Sequence, residues 1–239
     1  MREQSRAREP DGVVRLFPLP NVVLFPHAMQ PLHIFEPRYI RLTEDALADD
    51  QLITLVLLQP GSEADYWGRP AIYEVACIGR IRWHERLPNG RYNLVLQGLS
   101  RFRIEAEIAT TTPYRQAKGW LMPDPDIGVQ NLEPPNSCSP HAILKREILR
   151  EVRLRLTRGH PLWKMIQALT ELPVPLAVTC DMLAFALPLE LRVKQHLLET
   201  FDVEQRAHGL LRAVRQLRLL ETLPMPKEAP PFPPTFSPN

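Results

Sequence analysis

This sequence is poor in the residues that usually carry chemistry. Its three cysteines, Cys77, Cys138 and Cys180, are odd in number and far apart along 239 residues. That argues against a disulfide framework and fits a reducing, cytoplasmic setting. No CxxC, HxxxH or HExxH occurs, so zinc has no ligand set here. None of the ten glycines directly precedes a lysine, which excludes a P-loop. Serines are few, and none sits in a GxSxG elbow. Long apolar runs are missing too: the longest, Leu52 to Leu58, is far short of the roughly 18–20 residues that span a membrane. Met1 to Asp11 is polar, without the apolar core of a secretory signal. The formal net charge is only +2, against what a dedicated nucleic-acid binder carries. The expectation is a protein with no catalytic residues, metal or cofactor, and no membrane partner.

What the chain does have is 44% hydrophobic residues, enough for a core, and 26 prolines, seven of them between Leu223 and Asn239. Residues 1–11 read as a disordered leader and residues 223–239 as a disordered proline-rich tail. From Val13 the chain is β-like. Val13 to Pro18, Val22 to Pro26 and Pro31 to Phe35 are short extended pieces whose prolines confine them to edges or strand ends. Pro37 suits the first position of a helix whose buried stripe is Tyr39, Ile40, Thr43, Ala46 and Leu47. Leu52 to Leu58 reads as a strand. Glu74 to Trp83 and Arg91 to Leu99 flank Pro88-Asn89-Gly90, a hairpin signal in which Asn-Gly supplies positive φ. Gly98 interrupts before another strand, Phe102 to Ile108, and Tyr114 to Leu121 is the last. This spacing predicts a small barrel or sandwich over residues 12–121.

Residues 122–137 form a proline-rich linker, and residues 138–222 read as a helical bundle. Ser139-Pro140 is a cap and first position for a helix to Arg158, with Gly159 beyond its end. Leu162, Met165, Ile166 and Leu169 mark a second helix behind Pro161. Pro175 and Pro188 sit where two more could start. Asp202 with Gln205 resembles a capping box before an amphipathic helix to about Glu221.

The first of these helices is basic. Arg146, Arg150 and Arg153 share a face, with Glu147 and Glu151 spaced to pair with Arg150 and Arg155. A solvated, self-neutralising face and a surface for RNA or an acidic partner both fit this pattern. Residues 138–222 carry 13 basic against 9 acidic side chains, whereas residues 11–127 carry 12 against 14. Cys77, within a strand, reads as a buried thiol. His27 and His33 flank the proline-rich turn, with nothing nearby to orient either for catalysis.

Four stretches carry a resemblance: Leu16-Phe17-Pro18-Leu19-Pro20-Asn21-Val22-Val23-Leu24-Phe25-Pro26, Leu32-His33-Ile34-Phe35-Glu36-Pro37-Arg38-Tyr39, Tyr73 to Ile81, and Leu94 to Phe102. In this order and spacing they resemble the N-terminal domain of Lon proteases, including its stand-alone relatives. Lys194 to Arg206 is similar to that family's helical extension, so the likeness runs from about Val13 to Leu220. It implies an α+β fold: a PUA-like, partly closed β-barrel with a packed helix, followed by a C-terminal helical bundle. It also implies recognition of protein substrates for an ATPase and a protease, neither of which is expected in this chain. Phe17, Leu24, Ile34, Tyr39, Ile81 and Leu96 look like core.

The resulting expectation is a non-catalytic module that binds unfolded or partly folded proteins, alone or as an adaptor to a separate protease. The candidate contacts are Phe25, Pro26, Met29 and Pro31 in an apolar turn, and Tyr66 and Trp67 in a polar loop. Phe25 and Met29 fit equally as a plug for the barrel end. A strand at the barrel edge could also accept an extended peptide by backbone pairing. The alternative is RNA bound by the basic helical half.

Overall fold

The computed structural model describes residues 12–61, 68–124, 134, 137–157 and 159–218. The leader 1–11, the tail 223–239 and most of the linker 122–137 lie outside the described residues. Six strands form the first half: β1 (Gly12–Leu19), β2 (Met29–Ile34), β3 (Leu52–Leu57), β4 (Val75–Arg86), β5 (Tyr92–Ile108) and β6 (Gln116–Met122), with α1 (Pro37–Ala48) after β2. Their order is β2-β5-β4-β3-β1-β6, and β5 returns to pair with β6. Strands β5, β4, β3, β1 and β6 therefore close a ring, and β2 lies outside it along the first half of β5. Only β1 and β3 run parallel.

The prolines explain this layout. β1 is not an edge strand, yet it uses its two flanks in turn: Gly12 to Arg15 pair with β6, and Leu16 to Leu19 pair with β3. Pro18 thus sits where β6 is no longer alongside, and its missing N–H leaves no ladder gap. Pro31 lies on β2, which pairs with β5 alone. Val22 to Pro26, expected as an extended piece of strand, joins no ladder. The break expected at Gly98 does not occur either. β5 runs on for 17 residues, absorbing one extra residue as its partner shifts between Ile78 and Gly79. At the hairpin only Gly90 has positive φ (79°) and Asn89 does not, so the loop is a turn closed by a left-handed glycine.

Each face of the sheet buries its own cluster. Val14, Leu16, Val56, Ala76, Ile78, Phe102 and Ala117 come from all five ring strands and no helix, which places them inside the ring. The other face buries the larger core, shared with α1 and the helical half. The six motif residues expected to be core are all buried there: Phe17, Leu24, Ile34, Tyr39, Ile81 and Leu96. α1 starts at Pro37, and Tyr39 packs on Phe17 with ring centroids 4.2 Å apart.

Five helices follow: α2 (Pro140–Arg153), α3 (Leu162–Glu171), α4 (Leu176–Ala186), α5 (Leu191–Glu199) and α6 (Val203–Gln216). Ser139 caps α2, its Oγ accepting from the Ala142 N–H at 3.0 Å, and Asp202 caps α6 through the Gln205 N–H at 2.7 Å. Three boundaries differ from expectation. α2 stops at Arg153 because Leu156 turns into the core, and left-handed Gly159 serves the following turn instead of the helix end. α5 begins after Glu190, not at Pro188. α6 stops at Gln216, where the Arg155 guanidinium donates to the Arg215 and Leu217 carbonyls and satisfies the helix end. No helix among the described residues is long and apolar enough to cross a membrane.

A buried ionic cluster locks the helices onto the ring. Arg101 on β5 donates to both Asp181 oxygens at 2.6 and 2.9 Å, to Asp124 at 3.0 Å and to the Leu198 carbonyl at 2.8 Å. Arg206 on α6 donates to the same two carboxylates. All four side chains are at most 2% exposed. Two cations and two anions balance, which is the condition for burying them at all. Burial pushes the Arg206 guanidinium down, but the Asp124 and Asp181 carboxylates more than offset this and hold it above its ordinary value. Asp124 falls in the expected linker, so that segment's first residues are pinned between ring and helices.

Candidate functional site

The apolar turn divides residue by residue. Phe25 is 0% exposed and Pro26 is buried; both are core and present no surface to a partner. Gly98 makes room for them: the His27 N–H donates to the Gly98 carbonyl and the Gly98 N–H to the Ala28 carbonyl, each at 2.9 Å. A side chain at 98 would meet the Phe25 carbonyl. Met29, by contrast, is 43% exposed, and Pro31 is half-buried. Tyr66 and Trp67 lie outside the described residues.

Register shows what surrounds Met29 and Pro31. Along β2, Leu32 and Ile34 point into the large core, so Met29, Pro31 and His33 point the other way. Pro31 pairs with Val95 on β5, and Val95 with Trp83 on β4. Val95 is 2% exposed although it belongs to neither core cluster; its neighbours Pro31 and Trp83 flank it on the same face. Beyond it, His33 hydrogen-bonds Asn93 at 2.7 Å and stacks on Phe35, which is 37% exposed. The result is an apolar face across three strands, with Met29 and Phe35 standing out. Sequence reasoning missed Val95 and Trp83, which only cross-strand register brings beside Pro31, and it missed Phe35, which follows β2 directly and stacks on His33.

Backbone pairing at this edge is blocked. The Gly98–Ala28 hydrogen bond sets the phase of the β2–β5 ladder, so Gln30, Leu32 and Ile34 bond to β5 while Met29, Pro31 and His33 turn their backbone groups to the free edge. Pro31 has no N–H, and its carbonyl accepts from the Gln30 side chain at 2.8 Å. The middle of the edge therefore offers neither donor nor free acceptor, a common protection against strand addition. The Gln30→Ala, Pro31→Thr double variant restores both groups. It is expected to self-associate at concentrations where the natural chain does not, as read by analytical ultracentrifugation.

The basic helix is largely engaged within the protein. Arg146 donates to the Ser137 carbonyl at 2.7 Å, and Arg153 lies over the Trp163 ring at 5.9 Å. Glu151 pairs with Arg155 at 2.7 Å, as its spacing predicted, but Glu147 pairs with Arg215 on α6 at 2.6 Å and not with Arg150. Arg150 is 68% exposed. Burial pushes the Cys77 and Cys180 thiols up, away from thiolate reactivity. Among the described residues no group of three or more His, Cys, Asp or Glu is placed to hold a metal ion.

Residues 13–216 match the profile of the ATP-dependent protease La (LON) substrate-binding domain. Lon protease 2 of Sorangium cellulosum (strain So ce56) is 31% identical over 211 residues, which are 87% of this chain and 25% of that protein. Lon protease of Escherichia coli (strain K12) is 28% identical over 200 residues, 83% of this chain and 24% of the other. The chain thus spans about a quarter of the length of the curated relatives it matches. Two solved structures share the fold. The Lon N-terminal domain protein from Xanthomonas campestris has a TM-score of 0.59 at 23% identity, covering 84% of this chain and 98% of that one. The N-terminal domain of Mycobacterium avium complex Lon protease has a TM-score of 0.63 at 17% identity, covering 86% and 99%.

Proposed function

The chain belongs to the ATP-dependent protease La (LON) substrate-binding domain family, and from that premise we propose that it binds unfolded or extended segments of other proteins without catalysing a reaction on them. The observation that carries this reading is the apolar face on β2, β5 and β4. Met29 stands exposed on β2, which is fixed by its ladder to β5, and Phe35 stands exposed one residue past the end of β2, so a flexible client meets a surface that loses little freedom on binding. Met29 adds an adaptable thioether contact that suits varied sequences. Contact runs through side chains, since the β2 edge is closed to backbone pairing. Delivery of the bound client to a separate protease is the role that follows from the family's arrangement of recognition ahead of degradation.

The test uses a reduced, carboxymethylated protein and its native form as ligands, followed by fluorescence anisotropy. The unfolded form is expected to bind and the native form not to. The Met29→Ser, Phe35→Ser double variant is expected to fold normally and bind about tenfold more weakly, the loss of two half-exposed apolar contacts. Equal binding by a folded double variant would remove this face from the mechanism. Retention of RNA that is lost as salt rises, and lost with Arg150→Ala, would instead favour the basic helix as the working surface.

A further inference from the structure

The apolar face leads into the open end of the strand ring. There a pocket of about 190 Å³ has Leu52, Thr54, Ile78 and Phe102 in its walls, with Val13 and Leu121 at its rim. Val13 is 51% and Leu121 39% exposed. A water takes up about 30 Å³ of liquid, so the pocket has room for one large apolar side chain. The charged groups at its rim, Arg15 and Asp50, are already paired at 2.7 Å. The Thr54 hydroxyl, buried in the wall, has no hydrogen-bond partner among the described residues.

Register connects the pocket to Met29. Leu52, Arg80, Gln97 and Met29 form one cross-strand row over β3, β4, β5 and β2. Thr54, Ile78 and Ser100 make the neighbouring row on the pocket side. Trp83, Val95 and Pro31 make the neighbouring row on the other side. The middle row is uncharged except for Arg80, which is exposed and, among the described residues, has no carboxylate partner. Val95 and Gln97 are two residues apart, about 6.6–6.8 Å along an extended strand. An extended ligand lying along the hairpin repeats its same-face side chains at that same interval.

We propose that this groove selects extended protein segments in which an acidic residue has an apolar residue two positions away on each side. One apolar side chain rests on the Pro31–Val95–Trp83 row, the carboxylate meets Arg80, and the second apolar side chain enters the ring pocket. Arg80 supplies selectivity more than affinity, because an exposed ion pair contributes little by itself while a mismatched charge beside apolar contacts is penalised. This rests on the reading of the chain as a binder of unfolded segments, and it specifies which segments.

The test uses the full chain and three labelled, acetylated and amidated peptides with the core leucine–serine–X–serine–phenylalanine, X being aspartate, asparagine or lysine. Anisotropy is expected to rank aspartate above asparagine above lysine, with at least fivefold between first and last. Arg80→Glu is expected to reverse the order, and a serine in place of the peptide phenylalanine is expected to weaken every complex. Aspartate and asparagine peptides binding alike, or Arg80→Glu leaving the order unchanged, would overturn the selectivity while leaving general recognition standing. Silence of all three peptides beside a bound unfolded protein would overturn it as well. Silence of peptides and unfolded protein together would remove both readings.

Discussion

Asp181→Ala is expected to cost the fold about 3–5 kcal/mol, the usual result of removing one partner from a buried ionic cluster. Asp181 accepts from both Arg101 and Arg206 with all three side chains fully buried. Without it, two guanidinium groups share the single carboxylate of Asp124 in a site that water does not reach. Typical domains are stable by about 5–15 kcal/mol, so the variant should melt far below the natural chain or fail to accumulate. Charge balance, not the number of contacts, is the deciding quantity. The Asp181→Leu, Arg206→Met double variant leaves Arg101 and Asp124 as a neutral pair, 3.0 Å apart. It is expected to lose less than Asp181→Ala alone despite removing more hydrogen bonds. Urea unfolding of the three proteins decides this. A double variant weaker than the single one would mean that hydrogen bonding dominates over charge balance here.

The second large effect is expected at Gly98. A Cβ there would lie 2.0 Å from the Phe25 carbonyl oxygen and 2.8 Å from its carbon, both backbone atoms with no rotamer to yield. Relief requires moving the loop off β5, which breaks the His27–Gly98 and Gly98–Ala28 hydrogen bonds and lifts Phe25 from the core. Overpacking costs about 1–3 kcal/mol and sometimes more, and each lost hydrogen bond adds about 1 kcal/mol. Gly98→Ala is therefore expected to destabilise by about 3–5 kcal/mol. Gly90→Ala provides the contrast, since that position is left-handed but opens onto empty space, and only the backbone penalty of about 1–2 kcal/mol applies. Comparable urea midpoints for the two variants would show that the loop gives way easily and that Phe25 is not held as tightly as its contacts imply.

Local signals carried much of this protein. The Ser139-Pro140 and Asp202 caps, the start of α1 at Pro37, the β4–β5 hairpin and the burial of Phe17, Leu24 and Leu96 all depend on residues within about one helical turn or one strand of each other. Side-chain capping, proline geometry and apolar periodicity act over that range and need no partner from elsewhere. The ionic cluster also left local traces. Asp181 is the one charged residue in the apolar helix Leu176–Ala186, and Arg206 sits on the buried stripe between Val203 and Leu210. Periodicity counts apolar positions, and a charge on the stripe reads as an interruption until its counter-ions are known.

Other decisions needed the whole fold. Phe25 and Met29 lie four residues apart in one proline-rich turn, and nothing local distinguishes them. Gly98, on a strand roughly seventy residues further along the chain, admits Phe25 into the core, while the β2 register turns Met29 out. The same long-range pairing closes the ring through β5, buries Val95 beside Pro31 and brings Arg80 between Met29 and the pocket. The sequence by itself determined most of the elements, the caps of α2 and α6 and most of the core, because short-range sterics and hydrogen bonding act within each segment. Only the tertiary structure decided which apolar residues stay exposed, because that depends on strand register, and one residue of shift exchanges the two faces of a strand.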